Sequence, residues 1–220
     1  MQKQQTRENL IAAMTQDLTP TKRVRPRDGA ALVTFATIVA GIASIAIFGF
    51  WSGMITGEAS PFFWIVNGLL AMVGASSTAA LVSGALPRVG TRGSAPFWSA
   101  AMLGVIPVAT LITLLSVEAG HDHGTSFADA ATSYWECAVY GLAAGTLVAT
   151  ACVMFLRRGA PVSINRAAWL TGLTSGSLGA LAYGITCPLD TVGHVGIWHV
   201  APVALAALAC RFAMPPLIRW

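Results

Sequence analysis

Charge is what this 220-residue sequence has least of: Asp, Glu, Lys and Arg together make up only 10% of it. A water-soluble domain carries roughly a quarter charged residues, and a domain this small has too much surface to conceal such a deficit. A soluble globular fold is thereby excluded. Ionisable residues are almost absent from the long apolar runs, with Glu136 standing at the end of one. Intramembrane charges mark ion and proton pathways because burying them is costly, so their scarcity argues against a proton-coupled transporter or pump. There is no phosphate-binding glycine loop, no Ser-His-Asp set and no pair of buried carboxylates. No catalytic residue is assigned, and neither an enzyme nor a direct nucleic-acid binder is expected.

What is present is apolar. The chain is 55% hydrophobic, with a mean hydropathy of +0.67. A bilayer core of about 30 Å needs about 20 apolar residues as helix, because lipid-exposed backbone must bond within its own segment. Six runs qualify: Ala30–Phe50, Phe62–Leu86, Pro96–Val117, Trp135–Leu156, Ala167–Thr186 and Val195–Ala213. Pro202 interrupts the last, and Pro215-Pro216 follow it closely. The first run is too long for the core of a signal peptide and lies behind a polar tail, so it reads as an uncleaved helix. The expected fold is all-α: an integral membrane bundle of six transmembrane helices over residues 29–220, preceded by a tail, residues 1–28, with a short cytoplasmic amphipathic helix.

With six spans, all 13 Lys and Arg fall on one face of the bilayer. They are Lys3, Arg7, Lys22, Arg23, Arg25 and Arg27 in the tail, then Arg88, Arg92, Arg157, Arg158, Arg166, Arg211 and Arg219. The positive-inside rule puts that face, and both termini, in the cytoplasm. Five or seven spans would scatter the charges. His121, His123, His194 and His199 share the opposite face with Glu58, Glu118, Asp122, Asp129, Glu136 and Asp190. The seven Trp residues fall at run ends, as interfacial anchoring favours.

Connections are short, and the longest outer one, Glu118–Tyr134, carries His121 and His123, which read as a solvated loop. The two halves lack the matched broken helices of an inverted-repeat transporter. The fifth run carries Gly172, Gly176, Gly179 and Gly184, a small-residue pattern that lets helices approach closely, within the chain rather than at a dimer face.

Cys152 and Cys210 lie in the cytoplasmic halves of their runs, as passive small hydrophobes. Cys137 and Cys187 differ. They stand 20 residues before Arg157 and 21 residues after Arg166, so both lie about 30 Å from the same inner turn, at the outer boundary. Matched depth on antiparallel neighbours allows a disulfide without establishing one. A permanent bridge in an oxidising compartment and a pair that changes state with oxidant or metal both remain open. His194 and His199 share that depth, and Cys/His sets favour zinc or other soft metals. The spacing Cys187-x6-His194-x4-His199 matches no standard zinc signature.

In the tail, Leu10, Ile11, Met14 and Leu18 recur at helical spacing before Thr19-Pro20 and a basic cluster from Lys22 to Arg27. The residues alone allow a helix lying on anionic lipid or one that docks a cytosolic partner.

Several of these features together resemble the NrsF family of bacterial membrane anti-sigma factors. They are Trp135-Glu-Cys137, Leu156-Arg-Arg-Gly-Ala-Pro161, the glycine-rich fifth run, Cys187-Pro188 followed by Trp198-His199, and Arg219-Trp220. Asp17-Leu18, followed by Pro20 and basic residues, is similar to the family's start, while Pro87-Arg88 departs from an expected Pro-Gly. The resemblance is specific over about the last 90 residues. It implies six spans in the inner membrane and a cytoplasmic segment that binds an extracytoplasmic-function sigma factor. It also implies two outward cysteines for stress sensing, which fall on Cys137 and Cys187. The expected function is sequestration of that sigma factor through Leu10, Ile11, Met14 and Leu18, with release when the thiols meet oxidant or heavy metal. No resident cofactor is expected; a transient metal on Cys137, Cys187, His194 and His199 is a further expectation. The rival functions are a small-solute or metal permease, for which Asn67 and scattered Ser and Thr are thin material, and a structural assembly subunit.

Overall fold

The computed structural model describes residues 2–16, 24–86, 93–116, 135–159 and 161–218, and among these it is helical with no strand. Helix α1 is Gln2–Gln16, α2 Pro26–Phe48, α3 the single turn Gly53–Thr56, α4 Pro61–Gly84 and α5 Ala95–Ser116. Then follow α6 Glu136–Leu156, α7 Ile164–Gly184, α8 Val192–Trp198 and α9 Ala201–Ile218.

Local chemistry sets the starts. Pro26 and Pro61 open α2 and α4, where a missing N–H removes a donor that would have no helical partner anyway. Among the described residues, side chains cap three helices: Ser60 accepts from the Phe63 N–H, Ser163 from Arg166 and Thr191 from His194. Such caps are worth about 1 kcal/mol each. At its other end α2 stops at Gly49, whose φ of 84° suits glycine.

Among the described residues, five segments are long and apolar enough to cross a membrane: Pro26–Phe48, Pro61–Gly84, Ala95–Thr113, Glu136–Leu156 and Val192–Ile218. Their outward sides carry large exposed apolar residues, among them Phe35, Ile42, Val105, Ile112 and Phe212, as a bilayer-facing surface requires. The remaining expected run, α7, is as long as α6 at 21 residues but less apolar. The reason is its position. Fourteen of its residues are buried, including Thr171, Thr174, Ser175 and Ser177, and it packs against α2, α4, α6 and α9. A helix enclosed by other helices does not need lipid-compatible side chains.

Its glycines are where the backbones meet. A Cβ on Gly179 would stand 2.5 Å from the Gly141 carbonyl oxygen and from Gly145 of α6. One on Gly176 would stand 2.7 Å from the Pro202 carbonyl oxygen and Val203 Cα of α9. The small residues therefore serve packing within the chain.

The last expected run is not continuous. It begins earlier, at Val192, and is split by a turn at His199-Val200 before α9 resumes. Pro202 falls in the first turn of α9, where the helix tolerates it. Pro215 and Pro216 lie inside α9 near its end and do not stop it before Ile218.

Helix α2 runs the length of the bundle antiparallel to α6. Near its start Gly29 backs onto the Phe155 ring at the far end of α6. At its end the Phe48 ring packs tilted against Tyr140 and edge-to-face with Tyr183, with ring centroids 4.6 and 5.4 Å away. In the tail, α1 forms, and Leu10, Ile11 and Met14 are exposed on it. Leu18, Lys22, Arg23, Arg88, Arg92, Arg219 and the connection bearing His121 and His123 lie outside the described residues.

Candidate functional site

Cys137 sits in the first turn of α6, and Cys187 in the connector that follows α7. Their Sγ atoms are 3.8 Å apart and both are free thiols. A disulfide would require about 2.05 Å, so these are two thiols in contact. The two histidines join them. The Nε2 atom of His194, in α8, is 3.4 Å from Cys187 Sγ. The His199 ring stands edge-on to His194 with centroids 5.3 Å apart. One ligand atom from each of Cys137, Cys187, His194 and His199 lies within 4.8 Å of all the others, and all four residues are buried. The four residues grouped by expected depth from the sequence thus lie side by side.

The connector holds this arrangement. Thr186 donates its hydroxyl to the Tyr183 carbonyl at 2.7 Å, and the Cys187 N–H reaches the Gly184 carbonyl at 3.3 Å. The Trp51 N–H donates to Ile185. At the other end, the Asp190 carboxylate accepts from both the backbone N–H and the hydroxyl of Ser60, the hydroxyl at 2.8 Å. Thr191 then caps α8, orienting His194. Cys187 is thus tied to the start of α4 as well as to the end of α7.

Three residues that the sequence did not mark as site residues belong here. The Tyr183 hydroxyl lies 3.4 Å from Cys137 Sγ; it stands one helical turn before Cys187, but nothing in its spacing points to Cys137. Asp190 acts as the clamp just described. Gly184 makes room: a Cβ there would come within 2.9 Å of Asn67 Oδ1 and 3.3 Å of His199 Nδ1. His199 is 2% exposed, and neither of its ring nitrogens has a hydrogen-bond partner among the described residues. Asn67 Oδ1 has none there either. Contact with Cys137 and burial together hold the Cys187 thiol above its ordinary range.

The other two cysteines lie elsewhere. Cys152 is in the core with Val33, Leu81 and Val148, and Cys210 packs with Ala168 and Met214. Both occupy space as small apolar groups.

A family model described as NrsF, negative regulator of sigma F, matches residues 14–220. The chain belongs to the NrsF family. Its role is that of an anti-sigma regulator, and its implied partner is a sigma factor; this is not a family of enzymes. No curated protein and no solved structure matches the chain. The NrsF match takes in all four residues of the buried quartet and Met14 and Leu18 of the tail, but begins after Leu10 and Ile11.

Proposed function

We propose that this NrsF protein crosses the bacterial inner membrane six times and holds an extracytoplasmic-function sigma factor at its cytoplasmic face. It releases that factor when Cys137 and Cys187 change state. The observation that carries the reading is the contact of the two thiols, 3.8 Å apart on separate elements, at the bundle end opposite the one where α2 receives the tail.

Six spans are supported by α7, whose 21 residues reach about 31 Å as helix, the thickness of a bilayer core. With six, every Lys and Arg of the chain faces one side, which the positive-inside rule makes the cytoplasm. The termini are then cytoplasmic and the thiols face outward. The exposed Leu10, Ile11 and Met14, continued by Leu18, form the apolar contact for the cytosolic sigma factor.

Oxidant or a heavy metal acts on the outer pair. A two-electron oxidant joins the thiols with loss of two protons, drawing the sulfurs together by about 1.8 Å; a metal takes both as thiolates. Either change moves the start of α6 against the connector, and Phe48 on Tyr140 and Tyr183 passes the movement to α2. The tail joins α2 at its other end. Taking a complex from nearly all bound to nearly all free needs about 5.5 kcal/mol of bias, on the order of 120 mV for a two-electron couple.

The test is retention of the sigma factor by the protein in inner-membrane vesicles. Intact protein releases it on treatment with diamide or Cd²⁺. A Cys137→Ser, Cys187→Ser variant holds it under both. If that variant released its partner as the parent does, thiol sensing would be wrong. If tail-deleted protein still bound the sigma factor, the assignment of the tail would be wrong.

A further inference from the structure

The spacing of the quartet carries more than the presence of two thiols. In a tetrahedral zinc site, sulfur lies about 2.3 Å and nitrogen about 2.0–2.1 Å from the metal. Simple geometry then places two sulfur ligands about 3.8 Å apart, and a sulfur and a nitrogen about 3.5 Å apart. Cys137 Sγ and Cys187 Sγ stand at 3.8 Å, and Cys187 Sγ and His194 Nε2 at 3.4 Å. The sulfur–sulfur distance is too long for a disulfide, and both distances suit ligands around a common centre. The quartet's other edges are 4.8 Å or less, so closing it requires movements of about 1 Å.

His199 supplies the second observation. A neutral imidazole buried to this degree, with neither nitrogen hydrogen-bonded among the described residues, is costly unless it gains a partner. One of its nitrogens belongs to the quartet. A cation at the centre satisfies it. Gly184 is the residue that leaves space for this ring, since a Cβ would stand 3.3 Å from its Nδ1. The Tyr183 hydroxyl, 3.4 Å from Cys137 Sγ, is placed to donate to that sulfur as a thiolate, the kind of support that orients and tunes a metal ligand.

We propose that Cys137, Cys187, His194 and His199 bind one divalent d10 cation, Zn²⁺ or Cd²⁺, in a tetrahedral S2N2 site. This deepens and rests on the thiol-sensor reading above, by assigning its signal to a cation and its recognition to two histidines as well as two cysteines. Binding converts two thiols to thiolates, so two protons leave for solvent as the ion enters, and no oxidant is consumed. The donor set of two soft sulfurs and two borderline nitrogens selects such ions over Mg²⁺ and Ca²⁺, which prefer oxygen.

The experiment uses the full-length protein, reduced and in lipid nanodiscs, titrated with Co²⁺ as a visible reporter. One equivalent gives the intense d–d bands of a tetrahedral ion together with sulfur-to-cobalt charge transfer, and Zn²⁺ or Cd²⁺ displaces it. His194→Ala and His199→Ala each weaken binding by about tenfold or more, and the double cysteine variant loses the charge-transfer band. On the unmutated protein, Zn²⁺ shifts the ring ¹⁵N resonances of His194 and His199, which keeps the test sound if a variant misfolds. An octahedral spectrum, no saturable binding, or unshifted histidine ring nitrogens overturns the proposal. Sigma-factor release in the same preparation separates the two readings. Tetrahedral binding with the sigma factor still held leaves the site standing and removes the sensor. Release by diamide without cation binding does the reverse.

Discussion

Gly179→Ala tests the architecture without touching any proposed ligand. The added methyl would sit 2.5 Å from the Gly141 carbonyl oxygen and from the backbone nitrogen and Cα of Gly145. Ordinary contact begins at 3.4 Å, so α6 and α7 must part by about 0.9 Å at that level, a strain of the overpacking kind. The obstructing atoms are backbone, and no side-chain rotation can relieve them. Overpacking of this kind costs about 1–3 kcal/mol, against which alanine returns up to about 1 kcal/mol in helix propensity. With the full propensity gain the net expectation is a loss of up to about 2 kcal/mol. Gly141 lies one helical turn after Cys137, so the separation reaches the thiol pair and widens its 3.8 Å contact. Two measurements follow: thermal unfolding in detergent, and the rate of diamide-driven coupling of Cys137 to Cys187 after the other two cysteines are replaced. Gly68→Ala and Gly104→Ala are controls, since a Cβ at either position meets nothing within 4 Å. If Gly179→Ala matched these controls in both measurements, the close backbone contact between α6 and α7 would be refuted as the support of the site.

Asp190→Ala removes the acceptor for the Ser60 N–H and hydroxyl; hydrogen bonds to a charged group are worth about 1.5–3 kcal/mol, and hydrogen exchange at residues 185–191 should quicken while α5 and α9 stay protected. Leu10→Asp with Met14→Asp, at exposed positions, should abolish sigma-factor retention and leave the unfolding temperature unchanged; a partner still retained would show that the contact lies elsewhere. Cation affinity should fall as pH falls, because two thiol protons compete with the ion. Below the pKa of both thiols the apparent association constant should change by about two log units per pH unit. A slope near zero, measured by Co²⁺ absorbance, would mean that the cysteines are not the ligands.

Much of the site could be read as depth. Counting residues from Arg157 back to Cys137, and from Arg166 on to Cys187, works because the helical rise per residue is constant. Depth says nothing about which way a side chain faces, so the Tyr183 hydroxyl on Cys137 had no sequence signal. Nor did the Asp190–Ser60 clamp, which joins positions 130 residues apart. The break at His199-Val200 was hidden because Pro202 looked like an interruption of one helix, whereas it lies in the first turn of another. The fifth run was recognisable by its length and glycines, but its modest apolarity is explained only by the helices packed around it.

That enclosed helix also bears on how the protein is made. On the six-span reading, α7 must enter the membrane carrying Thr171, Thr174, Ser175 and Ser177 before α9 has closed over it, and it is less apolar than any other span. Its insertion then depends on pairing with α6, already in place, and on the arrival of α9. The connector bearing Cys187 hangs from the end of this helix and leads into the short helix bearing His194, so the full quartet comes together only in molecules whose last helices have been assembled. If the thiol pair senses as proposed, its site is in this sense also a mark of completed biogenesis, and a chain stalled before α9 would present the tail without the means to respond.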